Sequence, residues 1–106
     1  MFSKRFFLPV AVAGLIFFSS GAMAHSPLFM CYEEPDGSIL CEGAYSDGSS
    51  ALETPIFVRG PGGELLQYGT LCEYGEIELE KPEGEFSILF DGGEGHQVEL
   101  SGEDIR

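Results

Sequence analysis

The chain has no tryptophan, only two histidines and three cysteines, and just five basic residues against 18 acidic ones. Each scarcity excludes something. A formal net charge of −13 repels nucleic acid and anionic membranes alike, so neither is expected as a partner. There is no C-x-x-C pair, no nucleophile elbow and no glycine loop leading into a helix that would cradle a phosphate. Gly92-Gly93-Glu94-Gly95 is glycine-rich, but no helical pattern follows it. Asp36-Gly37-Ser38 and Asp47-Gly48-Ser49 lack the alternating oxygen ligands and closing Glu of a calcium loop, and are expected to be turns. No catalytic residues are assigned, and the chain is not expected to be an enzyme.

A long apolar run occurs in one place, at the start. Lys4 and Arg5 precede the stretch from Phe6 to Phe18, Ser19-Ser20-Gly21 follow, and Ala22-Met23-Ala24 has the A-x-A form of a signal-peptidase site. The run is shorter than the about 20 apolar residues of a spanning helix. Met30 before Cys31 is too large for a lipoprotein processing site. Residues 1–24 are therefore expected to be a signal peptide and residues 25–106 a single exported domain, periplasmic or secreted. Cleavage would remove two cations and no acids, making the exported part more acidic still. Such a charge favours solubility and draws in cations.

After the leader no segment holds a helical period. Short apolar runs alternate with Gly, Pro and Asp clusters about every ten residues, the pattern of an all-β fold, here a small antiparallel β-sandwich of about seven strands. The clearest signal is Phe29–Glu33 and Ser38–Cys41 flanking Glu34-Pro35-Asp36-Gly37. Pro presets the first central turn position and Gly accepts the left-handed one after it. A type I turn with a Gly bulge pairs Glu34 with Ser38, and that register sets Cys31 opposite Cys41. Opposed residues lie close enough to bridge, so an N-terminal hairpin closed by a Cys31–Cys41 disulfide is expected.

Separate strands are expected at Gly43–Tyr45, Ile56–Arg59, Leu65–Tyr68, Glu76–Glu80, Phe86–Phe90 and His96–Leu100, with Ser101–Arg106 frayed. Ile77 and Leu79 should face inward, and Glu76, Glu78 and Glu80 should blunt an edge. Phe86, Ile88 and Phe90 should share one core face. Cys72 is the odd thiol. Acidic neighbours Glu73 and Glu76 argue against reactivity, so it is expected to be buried or to link two copies of the chain.

The order of these features from about Cys41 to Leu100 resembles the carboxypeptidase-regulatory-like (transthyretin-like) β-sandwich family. The motifs are Asp47-Gly48, Pro55-Ile56-Phe57-Val58, Gly75-Glu76-Ile77 and Pro82-Glu83-Gly84-Glu85-Phe86. They are turn chemistry, so the resemblance implies a prealbumin-like fold and no activity. Gly93-Glu94-Gly95-His96 is also similar to a segment near the C-terminus of small periplasmic accessory proteins of nickel and cobalt uptake transporters. That second resemblance implies metal handling and a transporter component or another envelope protein as partner.

The residues support such chemistry in one way. Cleavage after Ala24 would make His25 the first residue, so its α-amine and imidazole could chelate one ion, with His96 adding a second imidazole. This donor set suits copper, nickel or cobalt alike. A square-planar site built on the third residue is excluded, because Pro27 has no histidine ring and no N–H to release. Met30 beside Phe29 is expected to pack rather than to ligate. The alternative is a metal-free protein-interaction or adhesion module using a strand edge or the acidic face. The metal reading requires the start of the exported chain and the loop before the last strand to meet at one end of the fold.

Overall fold

A computed structural model describes residues 25–106; the expected signal peptide lies outside the described residues. The described residues are all-β, with strands β1 (Pro27–Glu33), β2 (Ile39–Tyr45), β3 (Pro55–Arg59), β4 (Leu65–Thr70), β5 (Glu76–Leu79), β6 (Ser87–Asp91) and β7 (Gln97–Ser101), then a 3-10 turn at Gly102–Asp104. They form two antiparallel sheets, one of three strands ordered β1-β2-β5 and one of four ordered β4-β3-β6-β7. The sheets do not close on each other through strand pairing. Among the described residues no helix is long and apolar enough to cross a membrane.

The β1–β2 hairpin has the register that its turn dictates. Glu33 pairs with Ile39, Tyr32 with Leu40 and Cys31 with Cys41. The turn closes through Gly37 N–H donating to the Glu34 carbonyl at 2.9 Å and Glu34 N–H to the Ser38 carbonyl at 2.8 Å. Gly37 takes a φ of +91°, a region that an L side chain avoids. Cys31 and Cys41 are disulfide-bonded. The bridge lies in the middle of the paired strands, not at the N-terminus of the domain as expected.

Alternation then decides what is buried. Ile39, Cys41 and Leu79 from the three-stranded sheet join Ile56, Val58, Ile88 and Phe90 from the four-stranded one in a single apolar cluster. Phe29 of β1 reaches across to Phe90 of β6 with ring centroids 5.3 Å apart. Each fully buried Ile or Phe contributes about 1.5–3 kcal/mol through burial. Phe86, Ile88 and Phe90 share the inner face as expected.

Several expectations are corrected. Gly43 does not separate two strands; it sits inside a continuous β2. A Cβ there would lie 2.8 Å from Leu71 Cδ1 and 2.9 Å from the Phe90 ring, so Gly is required by close packing and not by a turn. The C-terminal residues do not fray. Gly102 N–H donates to the Phe86 carbonyl, and Ile105 is buried in the core. Cys72 is exposed, not buried, because the Cys72–Gly75 turn lies at the surface, where Tyr74 N–H donates to its sulfur at 3.4 Å. Met30 is 58% exposed, because its place in β1 puts it on the outer face of the sheet.

Candidate functional site

His25 and His96 meet. His25 lies two residues before the start of β1, and His96 ends the β6–β7 loop just before β7. The two edge strands β1 and β7 run alongside each other, which brings these chain-distant positions to one end of the molecule. Their ring centroids are 5.2 Å apart, and the planes are inclined at 75°. A metal–nitrogen bond of about 2.0 Å on each ring spans a centroid separation of this size.

Each histidine is held by local structure. His96 sits in a tight hairpin loop in which Gly92 N–H donates to the His96 carbonyl at 3.0 Å and His96 N–H to the Gly93 carbonyl at 2.8 Å. Asp91 organises that loop by accepting from Gly93 N–H at 3.1 Å and from Gln97 Nε2 at 3.0 Å. Those donors hold its carboxyl below the usual range, the Gln97 amide first and the Gly93 amide second. A Cβ on Gly92 would fall 2.5 Å from the Tyr45 hydroxyl oxygen, so the loop packs directly onto Tyr45.

Tyr45, the last residue of β2, is the floor of the site. Its ring stacks on His25 at 4.2 Å, meets His96 edge-on at 6.0 Å and meets the core residue Phe90 at 6.0 Å. The next residues turn back toward His25. Ser46 N–H donates to the Ser26 carbonyl at 2.8 Å, and Ser26 N–H donates to the Ser46 hydroxyl at 2.9 Å.

Asp47 completes the arrangement. One carboxylate oxygen accepts from Ser49 N–H at 2.9 Å and from the Ser49 hydroxyl at 2.7 Å. The other lies 2.8 Å from His25 Nδ1. The Ser49 hydroxyl first, and His25 second, hold the Asp47 carboxyl well below the usual carboxylate range. An ionised carboxylate only accepts, so Nδ1 carries the proton and donates. Both side chains are near 40% exposed, so the end of the fold is open to solvent.

The sequence singled out both histidines, but it read Asp47 only as a turn residue. Asp36, its counterpart in the other Asp-Gly-Ser segment, does form just such a turn with Ser38. Nothing in the local sequence distinguishes the two; the difference is the neighbour that β1 delivers. Among the described residues, no group of three or more His, Cys, Asp or Glu side chains is placed to hold a metal ion. Two imidazoles converge, and the α-amine of a processed His25, water or a partner would complete a coordination sphere. No family model matches the chain, and no curated protein or solved structure matches it either.

Proposed function

We propose that the exported chain is a periplasmic metal-binding or metal-delivery accessory that takes one copper, nickel or cobalt ion between His25 and His96. The observation that carries this reading is the convergence of the chain's two histidines, 5.2 Å apart, at one solvent-open end. The acidic surface favours it by raising the local concentration of cations. With two protein imidazoles and open coordination positions, the ion would be held without being enclosed, which suits transfer to a recipient such as a transporter component. The seven strands and shared core are consistent with a transthyretin-like sandwich of the carboxypeptidase-regulatory-like kind, a scaffold on which a metal site is a local addition. Titration of the processed protein with Cu(II), Ni(II) and Co(II) tests the reading. One equivalent should bind with micromolar or better affinity, and His25→Ala or His96→Ala should abolish it. Binding that is indifferent to both substitutions would sink the assignment.

A second reading is favoured by the outer face of the β1-β2-β5 sheet. Leu28 is 55%, Met30 58% and Tyr74 80% exposed around an open groove of about 570 Å³ that Ala44 and Glu42 also line. A protein-interaction module would use this apolar face with its acidic rim against a cationic partner. Its signature would be a salt-sensitive complex that persists under chelator and is lost in Met30→Glu. A complex unaffected by Met30→Glu would exclude this face.

A further inference from the structure

The position of Asp47 settles on one nitrogen of His25 rather than the other. An α-amine chelate closes its ring through Nδ1, the nitrogen nearer the backbone, yet Nδ1 is the atom that faces Asp47 at 2.8 Å. Asp47 is not a loose neighbour. Ser49 pins its other oxygen through two hydrogen bonds, and reciprocal Ser26–Ser46 hydrogen bonds tie the two segments together. Tyr45 fixes the ring plane from below. All of these contacts are independent of a free N-terminus.

We infer that Asp47 is the positioning residue of a carboxylate–histidine–metal relay, in which His25 donates Nδ1–H to Asp47 and offers Nε2 to the metal. Such a carboxylate fixes the tautomer, orients the ring and makes the ligating nitrogen more basic. The α-amine is then dispensable. This inference rests on the metal reading above but assigns the ligand atom differently from an amine chelate, and the two can be separated.

Three measurements on the full processed domain decide it. Histidine ring ¹⁵N spectra of the metal-free protein under mildly alkaline conditions should show His25 protonated at Nδ1; protonation at Nε2 instead would overturn the inference. Cu(II) titration of a form carrying one extra Gly before His25 should match the unextended protein, whereas loss of binding would identify the amine chelate and overturn it. Asp47→Asn should weaken Cu(II) binding by about 10–100-fold, and Asp47→Glu should recover part of the loss. An Asp47→Asn protein that binds as tightly as the parent would remove Asp47 from the site. If the unextended wild-type protein binds no Cu(II), the metal reading itself fails and takes the relay with it. Failure of the extension test alone removes only the relay.

Discussion

At the scale of single residues, Gly43 shows how a long-range constraint hides in a sequence. Beside the turn-forming Ser46-Asp47-Gly48 it reads as a break, but its lack of a side chain serves Leu71 and Phe90, which arrive from other parts of the chain. Gly43→Ala should destabilise the domain by about 1–3 kcal/mol through overpacking, measured by urea denaturation; an unchanged midpoint would show that Leu71 gives way freely. Asp47 was missed for a related reason. Its turn chemistry with Ser49 is local and legible, whereas its contact with His25 depends on where β1 begins. The histidines were legible because they are the chain's only two; their meeting was a condition that spacing alone could not establish.

At the scale of elements, the hairpins were the most readable part, because turn type fixes register. The Glu34–Ser38 turn put Cys31 opposite Cys41 and told every residue of β1 and β2 which neighbour it would have. Replacing both cysteines with alanine should lower stability by about 2–4 kcal/mol, chiefly by freeing the unfolded chain, as read by denaturation with and without reductant. Wild type under reductant should approach the double variant.

The same sheet carries an electrostatic conflict on its outer side. The neighbouring Glu78 carboxyl first, with desolvation second, raises the pKa of Glu34. A carboxyl whose folded pKa is raised binds protons more tightly when folded. Its favourable contribution is therefore complete below the unfolded pKa and is lost as pH rises through the folded one. Glu34→Gln should consequently gain stability over wild type at neutral pH and lose that advantage as the pH falls into the carboxylate range, measured by thermal melts across pH. An advantage that persisted in acid would point to packing instead. Asp36 works in the opposite sense: the Ser38 hydroxyl and then the Ser38 amide lower its pKa, so its contribution is present above the unfolded pKa and disappears as pH drops.

At the scale of the whole molecule, charge dominates. With 18 acidic residues and five basic ones, self-repulsion opposes the compact state and is screened by salt. Melting temperature should rise between low and moderate ionic strength before levelling off; a flat profile would mean that the acids are too dispersed to interact. The same field should make any capture of a divalent cation faster at low salt. Fold class was legible at this scale from turn spacing and alternation. The packed C-terminus was not, because the burial of Ile105 depends on Phe86 and the core it caps rather than on any pattern in the last six residues.

Because His25 lies just ahead of the first strand and His96 just ahead of the last, an ion shared between them would act as a clasp across nearly the whole length of the described chain. Unfolding separates the two rings, so a bridging ligand favours the native state by mass action, by about 2.7 kcal/mol when its concentration is one hundred times its dissociation constant. Slowed amide exchange should then appear in β1 and β7 together on adding metal. Protection confined to one of these strands would mean that the clasp never fastens.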